Sequence, residues 1–508
     1  MKLEPTIGLE VHAELKTRTK MFCDSPNDPD EPRPNANVCP VCMGHPGTLP
    51  VINHDAVRKI IQVGLALGGD IATQTHFDRK NYFYPDLPKG YQISQYQHPL
   101  VKGGYLDIPA SANEWADESK KQKVESKNTN QNVNRVRIQR VHLEEDTGRL
   151  IHDSKTKTTL IDFNRAGVPL LELVTEPDLQ SAEETRRFAE SLQLILQHLG
   201  ASDANMEKGE MRIEANVSLR PAGSDGLGTK VELKNINSFR FVEQAIAHEI
   251  DRQSELLNRG ERVLQETRGW DEARGITVAQ RSKEEAHDYR YFPEPDLPPL
   301  SIEPSLVEEL RASLPELPHA KLLRFQKEYG IDPALARTIV RDKRLAAYFE
   351  ETVSELKEWL AAEGRDAGDP QPMRLAANYL TTDLSKLVAE SGAPISKILI
   401  TPENFAELIA CLVGEKISSR AAKEVLREMF RSGADPSQII EERGLWQVSA
   451  TEALAEAAAK IIEANPKAAA DYRAGKAAAL QFLVGQVMKD AAGANPDGVR
   501  KLLEEKLK

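Results

Sequence analysis

Residues 7–15 read IGLEVHAEL, in which apolar and polar side chains alternate. Successive side chains of a β-strand point to opposite faces, so this pattern predicts a strand with one buried face. The residues predicted to face the core are Ile7, Leu9, Val11 and Ala13, and those predicted to face away are Gly8, Glu10, His12 and Glu14. The polar face is either exposed to solvent or forms the wall of a metal site.

Length and composition indicate a globular protein of several domains. The chain has 508 residues, of which 40% are apolar and 28% charged, and domains of about 100–200 residues are typical. No apolar run approaches the roughly 20 residues that span a bilayer, and the amino end lacks a signal peptide's apolar region, so we expect a cytoplasmic protein. The net charge of −12 argues against non-specific nucleic-acid binding over the whole surface.

The sequence pattern predicts an α+β protein with three parts. A cradle built on a mixed sheet is expected at residues 1–294, followed by helical parts at 295–400 and 401–508. Five prolines within residues 293–304 mark the end of the cradle, and beyond them apolar residues recur at helical intervals. From residue 473 onward seven basic residues accompany four acidic ones. A solvated helix surface and an RNA contact both explain this local excess of positive charge.

Carboxylates occur opposite hydrophobic faces in further alternating segments. Val141 and Leu143 predict one buried face, which places His142 and Glu144 on the polar side and Glu145 away from it. Glu172 and Glu176 share one face, and Glu214 and Glu232 occupy polar faces of two later segments.

Such carboxylates repel one another unless a cation neutralises them. Magnesium prefers oxygen ligands and bridges carboxylates to nucleotide phosphates, whereas a single acidic strand is ordinarily just solvated. The set therefore predicts a sheet that binds ATP and magnesium, without the phosphate-binding loop G-x-x-x-x-G-K-[ST].

Three cysteines predict a possible zinc-binding loop within residues 21–46. Cys39 and Cys42 form a C-x-x-C pair, and Cys23 precedes them. Either His45 or Asp24 completes a tetrahedral site, or the loop folds without metal. The remaining Cys411 lies in a helical pattern, where a buried free thiol is expected.

A series of distinctive motifs runs through residues 6–300. In chain order they are IGLEVHAEL, NVCPVCMGHPGTLPV, RKNYFYPDLPKGYQISQY, HLEEDTG, DFNRAGVPLLELVTEPD, MRIEANVSLRP, KNINSFRFV, TRGWDE and SKEEAHDYRYFPEPDLPPL. Near the end, FLVGQVMK and ANP extend the series. Together these motifs resemble the B subunits of the tRNA-dependent aspartyl/glutamyl amidotransferases, the GatB/GatE family.

The resemblance implies a glutamine-hydrolysing carbon–nitrogen ligase that uses ATP and Mg²⁺. It would phosphorylate the side-chain carboxylate of Asp or Glu misacylated on tRNA(Asn) or tRNA(Gln), and ammonia would then displace the phosphate. An amidase (A) subunit would supply the ammonia, and a small (C) subunit would complete a heterotrimer. The implied fold is a glutamine-synthetase-like kinase cradle, a helical linker and a YqeY-like helical tail that contacts tRNA.

The resemblance also implies roles for individual residues. The catalytic set is Glu10, His12, Glu144, Glu176 and Glu214, with Mg²⁺ at His12, Glu144 and Glu176 and with Glu10 nearby. The residues expected to hold nucleotide phosphates are Arg165, Arg212, Lys234 and Arg240. The expected substrate and tRNA contacts are Lys80, Tyr84 and Lys89 in an aromatic-rich loop, together with Lys476, Lys489, Arg500 and Lys501 in the tail.

That aromatic-rich loop either stacks on the terminal adenosine, lines a channel or packs in the core. Two departures from the family pattern accompany the resemblance. Asp24 and Ser25 stand where many relatives have another cysteine, and Glu214 stands where relatives often have Asp.

Two other functions remain open from the sequence. A stand-alone ATP-dependent carboxylate–amine ligase needs the same acidic face but leaves the helical extension and the basic tail without a role. A non-catalytic RNA-binding scaffold requires only that the acidic face be solvated. The sequence does not specify whether Asp-tRNA(Asn), Glu-tRNA(Gln) or both are substrates.

Overall fold

A computed structural model describes residues 2–28, 30–109, 133–153, 155–282, 289–447, 453–474, 476–490 and 496–507. The chain divides into two compact units, Met1–Pro318 and His319–Lys508. The described part of the first unit contains a mixed sheet with helices, and that of the second unit is helical. The α+β class, with a sheet-containing amino-terminal part and a helical carboxyl-terminal part, is therefore confirmed.

The strands all lie in the first unit within the described part of the chain. They are β1 (Leu3–Glu14), β2 (Asp70–Ile71), β3 (Gln74–Thr75), β4 (Asp78–Asn81), β5 (Tyr91–Ser94), β6 (Val101–Lys102), β7 (Tyr105–Pro109), β8 (Val133–Glu145), β9 (Arg149–Asp153), β10 (Thr158–Asp162), β11 (Pro169–Thr175), β12 (Met211–Pro221), β13 (Val231–Ile236), β14 (Glu266–Asp271), β15 (Ile276–Ser282), β16 (Phe292–Pro293) and β17 (Leu300–Ser301).

The helices occur in both units. Those of the first unit are α1 (His54–Ala66), α2 (Ala182–Leu199), α3 (Phe239–Asn258) and α4 (Pro304–Ala312). They are followed by α5 (Pro318–Tyr329), α6 (Pro333–Val340), α7 (Lys343–Ala362), α8 (Pro370–Tyr379), α9 (Ser385–Ser391), α10 (Pro402–Val413), α11 (Ser419–Ser432), α12 (Pro436–Glu442), α13 (Ala453–Ala464), α14 (Pro466–Arg473), α15 (Ala477–Asp490) and α16 (Pro496–Leu507). A π-helical turn, Leu380–Leu384, joins α8 to α9.

Strand β1 occupies the middle of a ten-stranded sheet. The strand order is β15-β14-β13-β12-β1-β11-β8-β6-β2, and β7 pairs with β8. β1 is antiparallel to both neighbours, β11 and β12, whereas β13 and β14 are parallel, so the sheet is mixed. A central strand has its side chains fixed by neighbours on both edges, which suits a strand that positions a site.

The alternation of β1 produces the predicted buried face. Its core-facing residues are Ile7, Leu9, Val11 and Ala13, each no more than 1% exposed. Helices α1, α2 and α3 supply the covering layer, with Ile60, Leu192 and Ile246 in the same core. Each of these helices begins with a side-chain cap, from Asn53, Ser181 and Ser238, which satisfies a free amide of the first turn. The opposite face of the sheet is left for polar side chains.

The proline-rich segment at 293–304 belongs to the first unit. β16 pairs with β4 and β17 pairs with β3, and Leu310 of α4 lies in the same core as the sheet. Prolines fit here because these two-residue strands lie at sheet edges, where few amide donors are needed. The compact units divide later, after Pro318. The three-part division at 294/295 and 400/401 remains a prediction.

The second unit contains packed amphipathic helices. Phe325, Tyr329 and Phe349 form a ring cluster with centroid separations of 5.2–5.7 Å. Helices α13–α16 enclose a further core around Leu483, Val487 and Leu503. Within the described residues, every helix is too short or too polar to cross a membrane.

Substitution Leu9→Ala tests the importance of the β1 core. Leu9 is 1% exposed, and a Leu→Ala change at such a site removes packing and leaves a cavity. We expect the free energy of opening of the β1 amides, measured by native-state hydrogen exchange, to fall by about 2–5 kcal/mol. Leu160→Ala is the control, because Leu160 is 60% exposed and should change that energy by less than about 0.5 kcal/mol. Equal protection in the two variants would contradict the central role of β1.

Candidate active site

The register of four neighbouring strands places a row of polar residues across the sheet. Arg212 of β12 lies opposite His12 of β1, and His12 lies opposite Glu172 of β11. Glu172 in turn lies opposite His142 of β8. Residues paired directly across strands point to the same face, so the backbone alone brings these four side chains to one surface. Glu10 of β1 and Glu214 of β12 also lie directly opposite each other, close to this row.

Five residues on this polar face form a compact group. This group, the acidic cluster, consists of Glu10, His12, His142, Glu144 and Glu172. His12 Nε2 lies 3.7 Å from Glu10 Oε1, 3.6 Å from Glu144 Oε1 and 3.5 Å from Glu172 Oε2. His142 Nε2 lies 3.4 Å from Glu172 Oε2. Glu144 is 2% exposed and Glu172 is 6% exposed. The acidic face at this point is therefore buried, unlike the solvated face of an ordinary antiparallel sheet.

The electrostatics of the acidic cluster favour a positive charge at its centre. Burial opposes protonation of His12, but the hydrogen bond to Glu172 and the charge of Glu144 outweigh it and raise the pKa of His12 to about 9. Burial also opposes ionisation of Glu172, yet His142 and His12 hold the pKa of Glu172 well below its usual range. Burial and the charge of Glu172 raise the pKa of Glu10. Positive charge at this point therefore stabilises the ionised carboxylates.

The donor atoms of the acidic cluster match a divalent cation. The ligand atoms of Glu10, His12 and Glu172 lie within 4.8 Å of one another, and the same is true of His142, Glu144 and Glu172. The carboxylate oxygens of each group suit Mg²⁺ or Mn²⁺. His142 Nδ1 is buried and has no hydrogen-bond partner within the described residues, which is a further sign that a ligand or water belongs at this site.

Ser94, Arg140 and Lys80 border the acidic cluster. Ser94 Oγ donates to Glu144 Oε2 at 3.1 Å, and Arg140 Nη2 donates to Glu172 Oε1 at 3.2 Å. Burial opposes the charge of Lys80, but Glu144, Tyr291 and Glu172 raise the pKa of Lys80 above its usual range. Hydrogen bonds from Ser94 and Arg140 thus hold the carboxylates of Glu144 and Glu172 in place. Arg140 and Lys80 supply positive charge beside them.

A second charged group lies beyond the end of β8, where Asp146 binds two arginines. Arg212 Nη2 donates to Asp146 Oδ2 at 2.8 Å, and Arg165 Nε lies 3.5 Å from the same oxygen. Burial opposes the charge of Asp146, but Arg212 and Arg165 lower the pKa of Asp146 to about 2. Burial and the charge of Asp146 raise the pKa of nearby Glu14 to about 8. Two of the predicted phosphate-binding residues therefore share one buried carboxylate.

The other predicted site residues are distributed around these groups. Lys234 Nζ binds Glu214 Oε2 at 2.7 Å, Arg240 is exposed in the first turn of α3, and Tyr84 is 57% exposed. Glu176 lies outside the acidic cluster, with its amide bonded to the Arg137 carbonyl at 2.9 Å. β11 ends at Thr175, so its alternation does not reach Glu176; the register shift beside this end leaves out Gln139 of β8.

Sequence reasoning placed Glu172 on a polar face but omitted it from the site, and it also left out His142 and Ser94. For His142 the sequence did contain a sign of its position, because His142 precedes Glu144 by two residues and therefore shares its face of the strand. Ser94 carried no such signal, because it approaches from β5, which lies outside the large sheet.

Cys23 and Cys42 line a cavity of about 70 Å³ that is also lined by His45, Lys89 and Glu145. The sulfur atoms of Cys23, Cys39 and Cys42 lie within 4.8 Å of one another. A hydrogen bond from Cys23, with the charge of buried Lys20, lowers the pKa of Cys42 to about 5. Lys89 and Glu145 form an ion pair at this cavity, on the opposite side of β8 from Glu144. Cys411 is buried, as predicted.

Comparison with known proteins identifies the family. Residues 5–308 match the GatB/GatE catalytic domain, and residues 364–507 match the GatB domain. The chain belongs to the GatB/GatE family. Two relatives are named as the B subunit of aspartyl/glutamyl-tRNA(Asn/Gln) amidotransferase: one from Carboxydothermus hydrogenoformans is 46% identical over 99% of this chain and 98% of its own length, and one from Thermomicrobium roseum is 47% identical over 100% and 99%.

The GatB/GatE resemblance stated from the motifs is thus confirmed, and it extends over both units. In the region that matches the GatB domain, the four predicted tail contacts are exposed: Lys476, Lys489, Arg500 and Lys501. Lys476 Nζ is paired with Asp471 at 3.0 Å.

Substitution Arg212→Gln tests the pairing at Asp146. The buried carboxylate of Asp146 would lose its shorter ion pair and keep only Arg165. Because Arg212 is partly exposed and Arg165 remains, we expect a loss of about 1–3 kcal/mol in unfolding free energy, measured as a lower midpoint in urea. Arg240→Gln is the control, since Arg240 is exposed. An unchanged midpoint in both variants would show that Asp146 does not depend on Arg212.

Proposed function

We propose that this chain is the component of a tRNA-dependent amidotransferase that activates a carboxylate with ATP. Its substrate would be Asp on tRNA(Asn), Glu on tRNA(Gln), or both. The observation that carries the proposal is the buried acidic cluster, in a chain similar over its full length to proteins named as the B subunit of aspartyl/glutamyl-tRNA(Asn/Gln) amidotransferase. The location expected for this activity is the cytoplasm.

Activation is needed because a free carboxylate has only a poor leaving group to offer to an amine. A side-chain carboxylate oxygen would attack the terminal phosphorus of ATP, and the bond from that phosphorus to the bridging oxygen of ADP would break. Ammonia would then attack the acyl carbon, lose a proton to solvent or a basic side chain, and expel phosphate. The product is the amide, Asn or Gln, on the same tRNA. Positioning and charge stabilisation supply most of the catalysis in phosphoryl transfer.

Magnesium, bound to the acidic cluster, would neutralise charge that develops on the transferred phosphate. The residues suited to hold it are Glu10, His12, Glu144 and Glu172, because their donor atoms already converge. Arg140 and Ser94 would fix the orientation of Glu172 and Glu144 through the hydrogen bonds described above. Glu172 of β11 takes the place that the resemblance gave to Glu176, because the Glu172 carboxylate converges with the other donor atoms.

The basic residues nearby suit the phosphate groups of the nucleotide. Arg165 and Arg212 share Asp146, and Lys234 pairs with Glu214, so each is held in place before a nucleotide arrives. Guanidinium groups match phosphate oxygens in a planar, two-point geometry. These three residues are the proposed phosphate contacts, with Arg240 as a more distant candidate.

The burial of the acidic cluster favours an enzyme over a non-catalytic RNA scaffold. A scaffold gains nothing from removing Glu144 and Glu172 from water, and burying carboxylates carries a high cost unless they are paired. The cost is reasonable when the same groups bind a cation and a reacting phosphate.

The nitrogen donor would come from a partner. No Ser–Ser–Lys amidase signature is present in the sequence, so glutamine hydrolysis is assigned to an amidase (A) subunit, with a small (C) subunit completing the complex. The exposed basic residues of the tail would contact the tRNA through its phosphates and shape.

Phosphate release from ATP by the assembled complex tests the proposal. We expect turnover with Asp-tRNA or Glu-tRNA and little with the same tRNA uncharged. Glu144→Gln should lower that turnover by about 100-fold or more, because it removes preorganised charge from the reacting centre.

Glu4→Gln is the matched control, since Glu4 lies on β1 but its side chain is 42% exposed and pairs loosely with Arg220. Equal turnover with charged and uncharged tRNA, or full activity in Glu144→Gln, would refute the proposal.

We also propose that the three cysteines hold a structural zinc ion. Their sulfur atoms already converge, and His45 lines the cavity that Cys23 and Cys42 border, so His45 is the candidate for a fourth ligand. Elemental analysis of the purified chain should find about one zinc per chain, as in closed structural sites. Cys39→Ser should remove the zinc, whereas Cys411→Ser should retain it. Zinc-free protein whose thermal midpoint ignores chelator would count against the assignment.

A further inference from the structure

We propose that Tyr96 and Tyr291 form a stacking platform for the adenine ring of a substrate, beside the acidic cluster. The inference rests on the proposed function, which brings two adenine rings to this site. One belongs to ATP and the other to the 3′-terminal adenosine of the tRNA. Both present the same flat π-surface.

The two rings have a parallel geometry that the neighbouring aromatic pairs lack. Their centroids lie 4.6 Å apart with an interplanar angle of 14°. The nearby Tyr82–Tyr289 and Tyr289–Tyr291 pairs are close to perpendicular, at 69° and 72°. Edge contacts of the latter kind are common in packed interiors. A parallel pair instead presents a flat face onto which a further ring can be added.

Tyr96 is open to an incoming ring. It is 51% exposed, whereas burial raises the pKa of its partner Tyr291 above the usual range. The pair therefore has an inner ring anchored in the protein and an outer ring with free surface. Packing therefore uses only part of the Tyr96 side chain and leaves the rest accessible to a ligand.

The platform is connected directly to the acidic cluster through Arg140. The guanidinium carbon of Arg140 lies 5.5 Å from the centre of the Tyr96 ring, and its Nη2 donates to Glu172 Oε1 at 3.2 Å. On the inner side, Lys80 Nζ lies 5.2 Å from the Tyr289 ring and feels the charge of Glu144. A base stacked on Tyr96 would thus lie beside Arg140, which also binds the Glu172 carboxylate of the acidic cluster. The positive charges of Arg140 and Lys80 suit the phosphates attached to that base.

This combination is typical of nucleotide recognition. Unpaired bases are recognised by stacking on aromatic or guanidinium planes, with basic groups following the backbone. A free amino acid or a small carboxylate would use the cations but would have no use for the flat aromatic face. An adenine ring uses both features.

Substitution Tyr96→Leu removes the ring and keeps an apolar side chain, whereas Tyr96→Phe keeps the ring and removes the hydroxyl. Stacking on one aromatic side chain typically changes base affinity by about 5- to 150-fold. In the assembled complex we expect Tyr96→Leu to weaken one adenine-bearing ligand by at least about fivefold and Tyr96→Phe to remain within about twofold of the unmodified chain.

Two binding arms distinguish the source of the adenine. The first is equilibrium dialysis that compares Mg·ATP with Mg-bound inorganic triphosphate, which carries the same phosphates but no base to stack. The second is competition by uncharged tRNA that is complete or lacks its 3′-terminal adenosine. If Tyr96→Leu abolishes the preference for ATP, the platform holds the nucleotide base; if it abolishes the preference for complete tRNA, the platform holds the terminal adenosine.

Tyr105→Leu is the matched control. Tyr105 is also exposed, at 42%, and also has a guanidinium carbon over its ring, that of Arg135 at 3.7 Å, but its strand β7 pairs with β8 near residues 133–137. We expect both ligands to bind this variant normally. If Tyr96→Leu does not fold, as judged by its circular dichroism and thermal midpoint, Tyr96→Trp replaces it and should retain or strengthen the preference.

Unchanged preferences in Tyr96→Leu would overturn the platform, and so would equal losses in Tyr96→Leu and Tyr96→Phe, since the hydroxyl would then be responsible. Failure of the proposed function has a different signature. The unmodified complex would form no amide on charged tRNA, while the two binding arms would still report on Tyr96.

Discussion

The arrangement of the first unit depends on the need of buried carboxylates for positive charge. Glu144 and Glu172 are almost inaccessible to water, and an isolated carboxylate in such a place would lose its charge. Here His12, His142 and Arg140 surround them, and the carboxylates raise the pKa of His12 to about 9; a metal ion bound at His12 would take the place of that proton. Every strand around the site contributes either a carboxylate or a group that compensates one. The apolar face of the same strands packs in the hydrophobic core and thereby keeps the strands in this register.

Much of this could be read from the sequence because β-strands have a strict two-residue period. The alternation at 7–15 predicted both the buried residues of β1 and the polar face with Glu10 and His12. The same rule placed His142, Glu144 and Glu214 correctly. It did not extend to Glu176, which lies one residue beyond the end of β11, because a two-residue period does not show where a strand ends; the role predicted for Glu176 stays a prediction. Ser94 and Tyr96 lie in the aromatic-rich loop, for which the sequence left stacking, a channel and core packing open; their neighbours, Glu144 and Tyr291, depend on long-range packing that spacing does not reveal.

The family relationship and the geometry of the acidic cluster are two independent lines of support for the same function. The comparisons extend over both units at about 45% identity, which establishes the family. They do not say which atoms converge. The distances around His12, the shared Asp146 and the parallel tyrosine pair supply that level of description. Together they support the proposal that the acidic cluster activates a carboxylate and that the neighbouring tyrosines bind an adenine ring.

The end of β8 has a further consequence. Glu144, Glu145 and Asp146 are consecutive, yet each faces a different environment: the acidic cluster, the cysteine cavity with Lys89, and the arginine pair. A strand cannot shift one of three adjacent residues without displacing the others. An insertion or deletion of a single residue at this point would therefore exchange all three environments at once.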